Sequence, residues 1–192
     1  MNKNFYITTP IYYPSARPHM GHAYSSIVSD VIARFKRLDG YNVEFLTGTD
    51  EHGLKIQRAA EEKGIEPKKF CDEISKTFRN LSKILNLSNT DFIRTTEDRH
   101  IKSVQNLWKI LEERGEIYLS KYSGWYSVSD EAFYSEDEIK EENGIKISAS
   151  SGSKVEWVEE ESYFFKLSKW EDRLLKFYEE NPKFILPKSR RN

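Results

Sequence analysis

Residues 5–22 read FYITTPIYYPSARPHMGH, and this stretch decides the prediction of the fold. Residues 5–9 form a short β-rich run that Pro10 closes, and two further prolines mark the loop that follows. From Gly21 onward, apolar residues recur every four positions until Gly40 ends the pattern, which predicts an amphipathic helix. The order strand, loop, helix predicts the first unit of an α/β fold.

The same alternation continues along the next stretch of the chain. Residues 41–46 are a second β-rich run, TGTDEHG at 47–53 is its exit loop, and a helical pattern follows over residues 54–63. Strand, helix, strand, helix is the order that a parallel sheet requires. We therefore predict an α/β fold with a Rossmann-like parallel sheet and flanking helices.

The rest of the chain changes character twice. Two more helices are predicted, one beginning at Pro67 and one opened by Thr95, which forms a capping box with Asp98. Residues 116–167 then form short runs rich in Tyr, Trp, Val and Ser, which predict a small β-rich insertion. Over residues 168–192 we predict a helix and a tail that return toward the first domain, which comprises residues 1–115.

The composition excludes several classes of protein. The 192 residues include 38% hydrophobic and 14% aromatic side chains, enough for a folded core. The single cysteine excludes an internal disulfide and a cysteine-rich zinc knuckle. No apolar run approaches the ~20 residues of a membrane span, and the N-terminus lacks the layout of a secretory signal. We predict a cytoplasmic protein without a membrane partner.

The charge pattern limits where nucleic acid could bind. Thirty basic residues balance 31 acidic ones, so the chain has no global positive field. Residues 130–161 contain eleven acidic residues and three lysines, a local net charge of −8. Such a surface repels phosphate backbones, so this stretch is a poor candidate for direct contact with nucleic acid.

Two histidines stand where the first loop becomes a helix. Ligands of open parallel sheets bind beyond the carboxyl ends of the strands, and the start of a helix favours an anion. His19 and His22 are three residues apart, so both rings can reach one phosphate and stabilise the charge that develops during phosphoryl or nucleotidyl transfer. Gly21 between them has no Cβ, so a flat ring can lie against the backbone.

A carboxylate follows the neighbouring strand. Asp50 is the first acidic residue of the second exit loop, and parallel strands bring this loop beside the first one. A carboxylate at this place is suited to bind an ammonium group through a charge-assisted hydrogen bond.

These motifs resemble a known family. The strand, the proline-rich loop and His-x-Gly-His are similar to the signature of class I aminoacyl-tRNA synthetases. TPIYYP at 9–14, FLTGTDEHG at 45–53 and GWYSVSDEAFY at 124–134 narrow the resemblance to the methionyl-tRNA synthetase family of the bacterial or organellar type. The likeness extends over essentially the whole chain.

The resemblance implies a two-step reaction, in which methionine and ATP give methionyl-adenylate before transfer to tRNA(Met). It implies that His19 and His22 are catalytic, and that both bind ATP together with Gly21, which lies under the adenine. ATP enters as a substrate with Mg²⁺.

The resemblance also implies a methionine pocket that includes Ile11, Tyr13 and Asp50, with Asp50 receiving the α-amino group. Adjacent residues on an extended loop point to opposite sides, so only one of Tyr12 and Tyr13 can enter the pocket while the other packs beneath it. The resemblance selects Tyr13.

Two departures from the family stand out. Many relatives have a four-cysteine zinc knuckle in the insertion, and with only Cys71 present we expect no zinc. The family's second half of the nucleotide-binding fold, with its Lys-Met-Ser-Lys-Ser loop, has no counterpart in this sequence. We therefore expect residues 1–115 to be the first half of that fold, and the chain to be an N-terminal fragment with an incomplete site.

Other interpretations of the residues stay open. One is a different class I synthetase or another nucleotidyltransferase that uses His-x-Gly-His, and a second is a non-catalytic fragment that binds nucleotide. A third is a metal-dependent hydrolase, with His19 and His22 as ligands and a third ligand from residues 50–52. The sequence leaves both a monomer and a homodimer open.

Overall fold

The computed structural model describes residues 3–191, which divide into two compact units between Gln105 and Asn106. The first unit alternates strands and helices. Its elements are β1 (Lys3–Thr8), α1 (Met20–Leu38), β2 (Tyr41–Thr49), α2 (Leu54–Glu62), α3 (Pro67–Ile84) and β3 (Asp91–Arg94). A further helix, α4 (Asp98–Glu113), begins in this unit and contains the boundary between the units.

The first unit contains a three-stranded parallel sheet in the order β1-β2-β3. Val43 and Phe45 of β2 are buried, whereas the intervening Glu44 and the neighbouring Tyr6 of β1 are exposed. The helices therefore cover one face of the sheet. This is expected, because the strand order follows the sequence order and crossover connections of the same handedness then place their helices on the same face. The predicted α/β fold with a parallel, Rossmann-like sheet is confirmed.

Helix α3 follows its sequence pattern closely. Pro67 occupies the first turn, and Phe70, Ile74 and Phe78 are buried on one face. These side chains join residues of α2 and β3 in the main hydrophobic cluster of the unit.

Helix α1 packs through a different face from its apolar stripe. The buried residues of this helix are Ser26, Asp30 and Ala33, whereas Val31 and Phe35 are 60% and 62% exposed. The apolar periodicity thus predicted the helix correctly but did not identify the face that contacts the sheet.

The predicted capping box of α4 is wrong. The hydroxyl oxygen of Thr95 accepts a hydrogen bond from the backbone N–H of Glu51 at 2.8 Å, and it belongs to the end of the sheet. The first turn of α4 is closed instead by the carbonyl of Glu97, which accepts from the N–H groups of His100 and Ile101. The Thr95 hydroxyl therefore binds a residue that is distant in the sequence and does not cap the adjacent helix.

The second unit is mainly antiparallel. Strands β4 (Ile117–Ser127), β5 (Ala132–Tyr134) and β8 (Glu156–Phe165) form a sheet in the order β5-β4-β8, and β6 (Ile139–Glu142) and β7 (Ile145–Ser148) form a hairpin. The hairpin turns at residues 143–144, where both residues have positive φ. Helix α5 (Glu171–Glu180) follows β8. Residues 116–167 contain all five strands, and the division of the chain at residues 115 and 167 stays a prediction.

A single carboxylate connects three segments of the second unit. Asp130 accepts hydrogen bonds from the hydroxyl groups of Ser151 at 2.5 Å, Ser153 at 2.8 Å and Tyr134 at 2.8 Å. The hydrogen bonds from Ser151, Ser153 and Tyr134 lower the pKa of Asp130 from 3.8 to about 2. The charged form of Asp130 is therefore part of the folded state.

None of the helices within residues 3–191 is both long enough and apolar enough to cross a membrane.

Candidate active site

The two histidines cap the start of α1 reciprocally. The backbone N–H of Gly21 donates to Nδ1 of His19 at 3.0 Å, and the backbone N–H of His19 donates to Nδ1 of His22 at 3.1 Å. The ring centroids lie 3.8 Å apart. Imidazoles thus fill the role that Ser or Asp commonly has at this position of a helix.

The capping bonds fix which ring nitrogens remain available. Because Nδ1 of His19 and of His22 accepts a hydrogen bond, each neutral ring carries its proton on Nε2. Both Nε2–H groups are left as donors at the start of a helix, where the dipole favours an anion. His19 is exposed and His22 half-buried. Burial, with a smaller contribution from the charge of His19, lowers the pKa of His22 below 6.5.

Gly21 makes this arrangement of the rings possible. A Cβ at position 21 would lie 2.9 Å from Cε1 of the His19 ring, closer than carbon atoms normally approach. The missing side chain therefore gives the His19 ring its place over the first turn of the helix.

Tyr12 connects the first loop, residues 9–19, to the sheet and to the histidines. Its ring is 7% exposed, stacks on Phe78 and meets the ring of His22 edge-on at 4.7 Å between centroids. Its hydroxyl lies 2.9 Å from the hydroxyl of Ser26 and donates to the carbonyl of His22 at 3.3 Å. Of the two adjacent tyrosines, Tyr12 is the one that packs beneath the loop, and Tyr13 is 39% exposed.

The second loop, residues 50–53, is attached to the first loop through the backbone of Tyr12. The N–H of Tyr12 donates to the carbonyl of Gly48, and the N–H of Asp50 donates to the carbonyl of Tyr12, both at 2.9 Å. Asp50 is half-buried at this junction. The carboxyl ends of two parallel strands thus bring the two predicted loops together, as the topology requires.

The structure groups the predicted site residues in two places. His19, Gly21 and His22 lie together at the start of α1. Ile11 and Tyr13 are 38% and 39% exposed on either side of buried Tyr12, whose carbonyl holds the backbone of Asp50. The functional roles of these residues remain predictions.

A buried ion pair beside Asp50 was not predicted from the sequence. The side chain of Glu51 is fully buried and binds Arg94 through two hydrogen bonds, from Nε at 2.6 Å and from Nη2 at 2.9 Å. Burial raises the pKa of Glu51, but the hydrogen bonds from Arg94, Thr96 and Thr49 outweigh it, so the pKa lies below 4.5. The only sequence signal is an acidic residue after a buried strand, with Arg94 43 positions away.

The strand that carries this arginine approaches β2 very closely. Gly48 of β2 pairs with Ile93 of β3, and a Cβ at position 48 would lie 2.0 Å from the Ile93 carbonyl oxygen. Glycine is therefore required in this strand for the two backbones to pair.

Within residues 3–191, no three His, Cys, Asp or Glu side chains form a group that could hold a metal ion. Glu51, one of the residues considered as a third ligand, is bound to Arg94 instead.

A parallel sheet with these two loops at its carboxyl ends is the arrangement expected of a nucleotide-binding α/β domain. The family described as tRNA synthetases class I (M) matches residues 5–145, and the chain therefore belongs to this family.

Similar curated proteins are named methionine–tRNA ligases. The chain is 57% identical over 192 residues to the methionine–tRNA ligase of Rickettsia bellii, covering all of this chain and 37% of that protein. It is 56% identical to the methionine–tRNA ligase of Listeria monocytogenes, covering 98% of this chain and 29% of the relative. The chain thus spans about a third of the length of these curated relatives.

A solved structure has the same fold over nearly the whole chain. The methionyl-tRNA synthetase of Mycobacterium tuberculosis, in complex with methionyl-adenylate, superposes with a TM-score of 0.94 and 48% identity. The match covers 99% of this chain and 37% of that one.

Proposed function

We propose that this chain forms the methionine- and ATP-binding part of a methionine–tRNA ligase. The observation that carries the proposal is the 48% identical fold of a synthetase solved with methionyl-adenylate, because methionyl-adenylate is the intermediate of this reaction. The histidine cap and Asp50 give the chain a donor pair and a carboxylate on adjacent loops, which suit the two ends of that intermediate.

In the first step, a carboxylate oxygen of methionine attacks the α-phosphorus of ATP, and the bond from this phosphorus to the bridging oxygen of the β-phosphate breaks. Pyrophosphate leaves and methionyl-adenylate remains. The Nε2–H groups of His19 and His22 stabilise the negative charge that grows on the phosphate oxygens in the transition state. ATP brings Mg²⁺ as its counterion, and Gly21 leaves the backbone open to the adenine ring.

The amino acid occupies the other side of the site. Asp50 binds the α-ammonium group through a charge-assisted hydrogen bond. Ile11 and Tyr13, both partly exposed beside buried Tyr12, contribute to the pocket of the methionine side chain. A hydroxyl of the terminal ribose of tRNA(Met) then attacks the carbonyl carbon of the adenylate, the bond from this carbon to the phosphate oxygen breaks, and AMP leaves. We propose that the protein acts in the cytoplasm. With one cysteine in the sequence, the function is proposed to need no four-cysteine zinc site.

The test is amino-acid-dependent exchange of pyrophosphate into ATP by the complete protein that contains this chain. Exchange with methionine, and not with the other amino acids, is the expected result. Exchange with another amino acid would assign a different class I synthetase, and ATP binding without any exchange would assign a nucleotide-binding module.

A matched pair of variants tests the assignment of the pocket. Asp50→Ala is expected to abolish measurable methionine binding while ATP binding remains, because the ammonium group loses its carboxylate. Asp39→Ala, which removes an exposed carboxylate at the far end of α1, serves as the control and should bind methionine normally. Equal affinity of wild type and Asp50→Ala would remove Asp50 from the pocket.

A further inference from the structure

We propose that Glu51 and Arg94 are positioning residues, which hold Asp50 where it binds the α-ammonium group of the amino acid. This inference rests on the proposed function. It assigns different tasks to two adjacent carboxylates, of which Asp50 contacts the substrate and Glu51 acts through the backbone.

The carboxylate of Glu51 has no capacity left for a ligand. Its Oε1 accepts from Nε of Arg94 at 2.6 Å and from the hydroxyl of Thr49 at 2.7 Å. Its Oε2 accepts from Nη2 of Arg94 at 2.9 Å and from the hydroxyl of Thr96 at 2.5 Å. Both oxygens are filled by protein donors, and the side chain is completely buried. A substrate ammonium group therefore cannot use Glu51.

Glu51 belongs to a cluster of four charged side chains whose charges cancel. Arg94 also donates to Asp72 at 2.5 Å, and Asp72 accepts from Lys68 at 2.7 Å. Two carboxylates and two cations form a closed group, so Glu51 adds no net negative charge to the second loop. Asp50 lies outside this group, and its carboxylate supplies the charge that attracts an ammonium group.

The backbone of Asp50 is held on both sides. On one side its N–H donates to the carbonyl of Tyr12 at 2.9 Å. On the other side, the N–H of Glu51 donates to the hydroxyl of Thr95 at 2.8 Å, and the carbonyl of Glu51 accepts from the thiol of Cys71 at 3.8 Å. With its side chain bound to Arg94, Glu51 has every polar group engaged, which leaves Asp50 little freedom to move.

The decisive measurement compares two ligands that differ only in the amino group. Methionine and 4-(methylthio)butanoate share the thioether chain and the carboxylate, and only methionine can bind Asp50. In the complete protein, we expect Glu51→Gln to weaken methionine binding by about 10- to 100-fold through misplacement of Asp50, while the affinity for the analogue changes by less than about 2-fold. Arg94→Lys keeps the charge but loses the bidentate hydrogen bond to Glu51, so we expect an intermediate loss of methionine affinity.

Two further variants complete the design. Thr96→Val removes one donor to Glu51 and keeps the ion pair. If Glu51→Gln does not fold, Thr96→Val tests the proposal in its place, and we expect a smaller loss of affinity that is confined to methionine. Arg99→Met removes an exposed arginine that pairs with Asp91, and we expect it to bind both ligands like wild type.

The outcomes separate the two proposals. A wild-type protein without methionine-dependent exchange would refute the proposed function. Suppose that the wild type catalyses the exchange, but Glu51→Gln and Thr96→Val lose affinity equally for both ligands or lose affinity for neither. That result would refute the positioning role alone, because general damage to the fold does not distinguish the two ligands.

Discussion

The backbone N–H of Asp50 donates a 2.9 Å hydrogen bond to the carbonyl oxygen of Tyr12. Because the ring of Tyr12 also packs against the ring of His22, one buried residue touches the loop that carries the carboxylate and the helix start that carries the histidines. The relative placement of the two parts of the site therefore depends on how Tyr12 is packed.

The hydroxyl of Tyr12 is expected to contribute to stability. Tyr12→Phe removes its bonds to Ser26 and to the carbonyl of His22, and we expect the free energy of unfolding to fall by about 1 kcal/mol, because buried Ser26 loses its partner. Urea titration measures the change. Tyr24→Phe, on an exposed ring, should leave the midpoint unchanged. Equal midpoints for Tyr12→Phe and wild type would contradict the role of the hydroxyl.

His22 is expected to act on the transition state. In the complete protein, His22→Ala should lower the rate constant of methionyl-adenylate formation by about 10²- to 10³-fold, because an aligned donor to the developing charge is lost. Methionine affinity should remain near that of wild type, since the ring does not belong to the methionine pocket. Pre-steady-state kinetics separate the two quantities, and parallel losses in both would argue against this assignment.

Gly48 should tolerate no side chain. Gly48→Ala places a Cβ 2.0 Å from the carbonyl oxygen of Ile93, so we expect a loss of about 3 kcal/mol in the free energy of unfolding as the strands separate. Gly21→Ala is the comparison, because its Cβ meets only side-chain atoms of His19 and no backbone atom. Its stability should stay within about 1 kcal/mol of wild type. Equal stability of the two variants would show that the β2–β3 contact is looser than described.

Cys71 should be unreactive in the folded protein. Burial, then the charge of Glu51, raises the pKa of its thiol from 9.0 to about 11, so almost no thiolate exists at neutral pH. We expect a thiol reagent to label Cys71 only after denaturation, at the rate of global unfolding. Rapid labelling under native conditions would show that α3 opens locally above the Glu51 carbonyl.

Asp130 should make the stability of the second unit depend on pH in acid. Its pKa falls from 3.8 to about 2 on folding, so its contribution is present above pH 3.8 and disappears as the pH drops toward about 2. Asp130→Asn is expected to flatten the dependence of unfolding free energy on pH in this window. Ser151→Ala, which removes one donor, should flatten it partly. An unchanged slope in Asp130→Asn would assign the acid sensitivity to other carboxylates.

The sequence predicted the elements whose signals are local. The strand at residues 5–9, the helix from Gly21 and the helix from Pro67 were identified from periodicity and from proline and glycine positions. The meeting of the two loops followed from topology, because parallel strands end at the same edge.

Features that depend on distant partners were not predicted. Strand β3 is only four residues long, and its sequence DFIR has charged ends, so no strand pattern was visible. Thr95 was interpreted as a helix cap, whereas its hydroxyl binds the backbone of Glu51 in the folded chain. The Glu51–Arg94 pair joins residues far apart in sequence, and propensity contains no information about such pairs.

The reciprocal histidine cap has a thermodynamic consequence. Each imidazole loses rotational freedom when the polypeptide folds, since its Nδ1 accepts a hydrogen bond from a backbone N–H group. Immobilising a flexible side chain on association typically takes about 0.5–1.5 kcal/mol from the binding free energy. In the proposed function that entropy is lost in advance, because folding already holds the two proton donors that the triphosphate would meet.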